Sequence, residues 1–179
     1  EKIINMKEKH VLELANILGY KIEKKTIYGV SNGYHFSLNP LLNKNILTYQ
    51  VSILVNKVMT LDNIKNIRKE LQSVVSMNEE HNAFLLQARI NFPKENENKK
   101  NFFVGFMNSL TKALQKEDIY EYNRCLFCND DKRSQEKDWM VINKLYTLSH
   151  KSCAKEDLSI EEDKSNRLKI SLLGGIIGA

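Results

Sequence analysis

The residues best suited to chemistry in this chain are Cys125-Leu126-Phe127-Cys128 and, well downstream, His150-Lys151-Ser152-Cys153. Two residues between ligands let a tight turn aim both side chains at one ion. Two such pairs complete the tetrahedron that Zn²⁺ prefers, and thiolate and neutral imidazole are donors it accepts. One zinc per chain is therefore expected, on Cys125, Cys128, Cys153 and His150, with Glu156 or Asp157 next in line should His150 point elsewhere. Three thiolates, one imidazole and Zn²⁺ sum to about −1, and a filled set leaves no position for water or substrate. The expected role of the metal is folding. A segment as short as 123–157 holds little core of its own, so metal binding must supply most of its stability. Trp139, the only tryptophan, is the expected plug of that small core.

The cysteine count agrees. A disulfide framework would strand one of three thiols, whereas a metal site uses them all beside a histidine. Free thiols also belong in a reducing compartment, and no apolar leader opens the chain at Glu1-Lys2-Ile3-Ile4. A cytoplasmic location is expected.

No other constellation rises to a site. His10, His35 and His81 are scattered, without a nearby nucleophile or repeated ligand spacing, and are expected to be surface or hydrogen-bonded histidines. Glu79-Glu80, Asp130-Asp131 and Glu161-Glu162-Asp163 are adjacent carboxylates expected in loops. No phosphate-binding glycine loop, nucleophile elbow or H-E-x-x-H helix occurs. The net charge of +5 would suit nucleic acid, but acids interleave with bases from Asn129 to Asp138, as on a solvated surface. A phosphate-binding stripe needs bases gathered on one face, so the pattern disfavours a nucleic-acid partner.

The elements that must position the zinc ligands follow from periodicity. At 42% hydrophobic and 27% charged, the chain is globular. Val11, Leu14, Ala15 and Leu18 predict a helix over about residues 3–18, stopped by Gly19. Tyr20–Val30 is expected to be extended, Asn32-Gly33 to be a hairpin turn, and Tyr34, Phe36 and Leu38 to alternate in the next strand. Leu47, Tyr49, Val51, Ile53 and Val55 make a half-buried strand. A helix capped by Thr60 carries Leu61, Ile64, Ile67, Leu71, Val74 and Val75. Phe84, Leu86, Ala88, Ile90 and Phe92 form a further strand, and Phe103, Phe106, Met107, Leu110, Ala113 and Leu114 a third helix.

The expected class is α+β: a mainly antiparallel sheet with helices on one face, in the order helix-strand-strand-strand-helix-strand-helix, followed by a small zinc module. The expected domains are an α+β domain over 1–122, a zinc-binding module over 123–157, and a charged linker with an apolar glycine-rich segment over 158–179. Met140–Tyr146 is the strand-like part of the module.

The element order resembles the small α+β folds of secretion-chaperone-like domains. The two ligand pairs resemble a zinc-ribbon or treble-clef module, departing from the commoner four-cysteine pattern in using His150. Leu172–Ala179 turns apolar, and Gly174/Gly178 and Gly175/Ala179 have the small-x-x-x-small spacing of packed transmembrane helices. With the Cys125, Cys128, His150, Cys153 set, this run resembles cytoplasmic zinc-bearing regions of bacterial membrane proteins with glycine-zipper segments. That resemblance implies no activity. It implies a cytosolic interaction or regulatory region, with a protein partner and membrane contact beyond Ala179. The alternative is a soluble nucleic-acid-associated protein touching phosphates through Lys132, Arg133, Lys137 and Lys151. The sequence specifies no oligomeric state.

Overall fold

Three hairpins in this protein turn on two successive residues in the left-handed region: Lys24-Lys25, Asn32-Gly33 and Asn143-Lys144. Positive φ at both central positions is the type I′ geometry, whose twist matches that of the flanking strands. Only Asn32-Gly33 announces itself by residue type. The other two insert strands where the sequence predicts continuous extended chain. The computed structural model describes residues 2–41, 44–129 and 136–154, with side chains from residue 8 onward.

The chain begins with α1 (Lys2–Leu18), then β1 (Lys21–Glu23), β2 (Thr26–Ser31), β3 (Tyr34–Pro40) and β4 (Thr48–Val55). It continues through α2 (Leu61–Leu71), β5 (Val75–Glu80), β6 (Ala83–Asn91) and α3 (Asn96–Lys116), and the last strands among the described residues are β7 (Lys137–Ile142) and β8 (Leu145–His150). The first six strands form one sheet in the order β1-β2-β3-β4-β6-β5, and β7 and β8 form a second, two-stranded sheet among the described residues. Every pairing is antiparallel. The fold is α+β with a mainly antiparallel sheet, as the sequence predicts.

Two boundaries differ from expectation for clear reasons. Tyr20–Val30 is two strands, because Lys24-Lys25 folds it back on itself. The helix expected to include Val74 and Val75 stops at Leu71. Gln72 takes a left-handed conformation there (φ 51, ψ 43), its N–H closing on Arg68 O at 2.7 Å. The Arg68 guanidinium then donates to the Val75 carbonyl, fixing the chain as it turns into β5. Glu79 and Glu80 consequently lie in that edge strand and not in a loop. The start of α2 follows prediction: Thr60 and Asn63 exchange backbone and side-chain hydrogen bonds in a capping box.

Alternation along β4 and β6 divides the sheet into two faces. Ile53 pairs with Leu86 and Val51 with Ala88, whereas Leu54 pairs with Leu85. Side chains one residue apart point oppositely, so these pairs define opposite faces. The first set joins Leu14, Leu18, Ile67, Phe103, Met107 and Leu110 in the main core beneath α1, α2 and α3. Leu54 and Leu85 join Ala83, Tyr122, Leu126 and Leu145 in a second cluster under the C-terminal segment. Gly29 is needed at the main core: a Cβ there would come within 2.4 Å of the Tyr20 ring, which packs against Phe36 and Phe103. The β7–β8 hairpin therefore stands opposite the helices, packed on β2, β3 and β4.

Candidate metal centre

The fold gathers the four predicted ligands from three local structures. Cys125 and Cys128 sit on a tight turn closed by Asn129 N–H donating to Cys125 O at 2.9 Å. His150 is the last residue of β8, and residues 151–154 begin a helical turn. In such a turn, residues three apart lie on one side, which brings Cys153 beside His150. One ligand atom from each of Cys125, Cys128, His150 and Cys153 lies within 4.8 Å of all the others.

Finer geometry fits a tetrahedral ion. Metal–sulfur bonds of about 2.3 Å and metal–nitrogen bonds of about 2.0 Å set nitrogen–sulfur edges near 3.6 Å. His150 Nδ1 lies 3.3 Å from Cys128 Sγ and 3.9 Å from Cys153 Sγ, bracketing that value. Nδ1 is thus the ring atom facing the sulfurs. Nε2 must then carry the proton, and it is buried without a hydrogen-bond partner among the described residues. Among the described residues, packing and not a second hydrogen bond orients this ring. Cys125 and His150 are fully buried and Cys153 nearly so, with Cys128 half-buried. Glu156 and Asp157, the alternative ligands, lie outside the described residues.

The thiols by themselves show why a cation suits the cluster. Burial is the largest influence on Cys125 and pushes its thiol up. The backbone N–H groups of Cys128, His150 and Phe127, with the Cys128 side chain, together outweigh it and bring the group down to about 6. Cys153 is pushed up to about 11, by burial first and then by the neighbouring Cys125 and Cys128 sulfurs. Adjacent thiolates repel, so one ionises at the expense of another. A divalent cation lets all three ionise together.

Neighbouring residues that the sequence does not point to hold the knuckle and hairpin in place. Asn82, at the β5–β6 turn, donates through its side-chain amide to the Leu126 and Phe127 carbonyls, both at 2.9 Å. His81 sets its ring edge-on to Phe127. Leu126 N–H donates to Leu148 O at 3.0 Å, stitching the knuckle to β8. At the far end of the hairpin, the Asn39 side chain donates to Lys144 O at 3.0 Å.

Between these ends, Trp139 lies flat on His35 of β3, with ring centroids 3.4 Å apart and planes 4° from parallel. Tyr146 leans on both rings and on Tyr28. Trp139 therefore fastens the hairpin to the sheet and is not the plug of a separate small core. His35 matches the expectation of a hydrogen-bonded histidine: Nδ1 lies 2.6 Å from Glu121 Oε1, which also accepts from the His35 backbone N–H. His10 and His81 also lie near carboxylates, Glu13 and Glu80. The only signal that could have found the aromatic stack is the alternation of Tyr28, His35 and Trp139 onto one side of their strands.

Among the described residues, no other candidates are gathered into a site. Asp130-Asp131 and Glu161-Glu162-Asp163 lie outside the described residues, as do Lys132, Arg133 and the apolar run Leu172–Ala179. Lys137 faces His150 across the β7–β8 pairing, while Lys151 is exposed. Among the described residues, no helix is long and apolar enough to cross a membrane. Comparison of the chain with protein-family models, curated proteins and solved structures returns no match.

Proposed function

We propose that this protein is a zinc-stapled interaction domain, in which the metal holds the C-terminal knuckle and hairpin on the sheet and takes no part in catalysis. The observation that carries this reading is the convergence of three thiols and one imidazole within 4.8 Å. The donor set supports zinc over magnesium or calcium, which take oxygen ligands. Four protein ligands fill a tetrahedron and leave no position for substrate. The metal lies between two fastenings to the sheet, the Asn82 grip on the knuckle and the Trp139–His35 stack. Its removal would thus expose Leu54 and Leu85.

The partner, in this reading, is another protein, and the location is the cytosolic face of a membrane. Free thiols support the reducing compartment, and the apolar, small-residue run at Gly174–Ala179 supports the membrane. Metal analysis of protein purified under reducing conditions without added metal tests the central claim. About one zinc per chain is expected, lost in Cys125→Ser and Cys153→Ser and retained in His150→Cys, which keeps four donors. Metal-free protein with a protected β7–β8 hairpin would overturn it. Membrane fractionation of the natural protein tests the location separately; a wholly soluble protein would remove the membrane claim and leave the metal claim standing.

A further inference from the structure

Away from the metal centre, one side-chain nitrogen is buried without a hydrogen-bond partner: Nε of Arg89, in β6. Its guanidinium also has no ion pair among the described residues. A charged group drawn out of water calls for a counter-charge or hydrogen bonds.

Register fixes what surrounds it. Arg89 pairs with Gln50 of β4, and Gln50 with Asn39 of β3. On the other side, Arg89 N–H donates to Val74 O at 2.9 Å, which sets Val74 opposite it at the sheet edge. Directly opposed residues share a face, and alternation from Leu54 and Leu85 puts this row on the hairpin side of the sheet. The row is open to solvent. Gln50 and Arg89 are half-buried, and Val74 is 52% exposed.

The available groups have one character. The Gln50 amide has no hydrogen-bond partner among the described residues, so it stands beside the guanidinium as a second free donor. The flanking pairs are already satisfied: Gln87 donates to Ser52 Oγ at 3.3 Å, and Thr48 to Asn91 Oδ1 at 2.8 Å. None of these six residues is acidic. Glu23, in edge strand β1, lies four strand spacings from β6, or about 19 Å. A guanidinium fork with an adjacent amide matches a carboxylate. From Asn39 to Val74 the row spans about 14 Å, the length of four or five residues of extended chain.

We propose that this row docks a partner protein through an extended segment carrying a carboxylate and, two residues away, an apolar side chain. The carboxylate lies on Arg89 and Gln50, and the apolar side chain on Val74. This rests on the reading of the protein as an interaction domain and adds the place and chemistry of the contact. Arginine suits the centre of such a contact, because its fork recognises geometry as well as charge.

The test is an NMR titration of the full chain with two capped peptides, Leu-Ser-Glu-Ser-Leu and Leu-Ser-Gln-Ser-Leu, in about 0.15 M salt. Side chains two apart share a side of an extended chain, so a leucine reaches Val74 in either direction. The glutamate peptide should bind saturably at about 1 mM or below, and the glutamine peptide roughly tenfold more weakly. The Arg89 Nε–H resonance should move with the glutamate peptide, a readout that needs no variant to fold. Arg89→Gln should weaken the glutamate peptide roughly tenfold, followed by backbone amides. Lys94→Gln with Lys99→Gln removes more charge elsewhere and should leave it unchanged. Zinc content is measured on the same samples. A zinc-bearing chain that fails to bind would overturn this surface alone, and a metal-free chain that binds through Arg89 would overturn the metal reading alone. No saturation at about 10 mM, equal affinity for the two peptides, a stationary Arg89 resonance, or equal loss in the lysine variant would each overturn the proposal. Tighter binding of a short oligothymidylate would overturn it in favour of nucleic acid.

Discussion

The two faces of the six-stranded sheet are closed by different physics. On one, three helices bury a continuous apolar core that includes Ile53, Leu86, Phe103 and Leu110. On the other, a short knuckle and a two-stranded hairpin close a smaller apolar cluster of Leu54, Ala83, Leu85, Tyr122, Leu126 and Leu145. Burial is worth about 1.5–3 kcal/mol for each large apolar side chain, so the first face holds itself together many times over. An isolated hairpin is marginal in water, so the second face needs cross-links. It has them in the cysteine–histidine cluster, the Trp139–His35 stack and the Asn82 and Asn39 hydrogen bonds. Apolar burial is diffuse and tolerant of single changes. A few localised fastenings are cheap in residues and fail together.

Removing the metal should break this comparison open. Structural zinc contributes on the order of 10 kcal/mol of folding free energy in small modules. Chelation should therefore abolish amide-exchange protection in β7, β8 and the knuckle while β4 and β6 stay protected. Trp139 emission should shift to the red as its ring leaves His35. Simultaneous loss of protection on both faces would show one cooperative unit in place of two unequal ones.

Phe103→Ala attacks the other side. Phe103 is 1% exposed and packs on Tyr20, Phe36 and Phe92. The expected loss is about 3–5 kcal/mol by denaturant unfolding, with zinc stoichiometry of the folded fraction unchanged. Phe106 is only partly buried and should cost clearly less on truncation.

This asymmetry also explains what the sequence could reveal. The helix-covered face repeats apolar residues at periods of 3.6 and two, a signal spread over many positions, and most of its elements are legible. The cysteine and histidine spacings are legible because a metal demands particular residue types. β5 was hidden because Val74 and Val75 extend the apolar helical pattern of α2, and only the left-handed Gln72 breaks it. The second hairpin was hidden because Asn143-Lys144 lacks glycine, as Lys24-Lys25 does. The fastenings themselves join residues far apart in sequence, such as His35 with Trp139 or Asn82 with Leu126. No local pattern encodes such pairs; they emerge once the strands are in register.

If the cysteine–histidine cluster holds zinc as proposed, that face should also respond to pH. Cys153, held up at about 11, must lose its proton to bind metal anywhere in the physiological range. Cys125, brought down to about 6, is already a thiolate at neutral pH. Acid thus competes with the ion: each unit fall in pH from 8 to 7 or 7 to 6 should weaken zinc binding by at least about tenfold, or 1.4 kcal/mol. Below pH 6 Cys125 takes up a proton too, and the dependence should steepen. Chelator competition at several pH values measures the slope, and an affinity that is flat between pH 6.5 and 8.5 would contradict it.

The smallest expected effect comes from two asparagines at hairpin tips, one for each face. Asn32, in the β2–β3 turn, donates to Asn108 Oδ1 and Thr111 Oγ1 of α3 at 2.8 and 3.0 Å. Asn82, in the β5–β6 turn, donates to two knuckle carbonyls. Each side chain contributes hydrogen bonds worth about 1 kcal/mol net, so neither substitution should unfold the protein. Asn32→Gly removes the amide and keeps a residue suited to the left-handed conformation, with φ at 50°. It should lower global stability by about 1 kcal/mol and leave zinc affinity alone. Asn82→Ala should do the reverse, weakening zinc roughly fivefold as the knuckle loosens, with little change in the unfolding midpoint of the helix-covered core. The two variants thus ask whether the faces are energetically separable. If Asn32→Gly weakens zinc as much as Asn82→Ala does, strain passes through the sheet, and the metal is reporting on the whole domain.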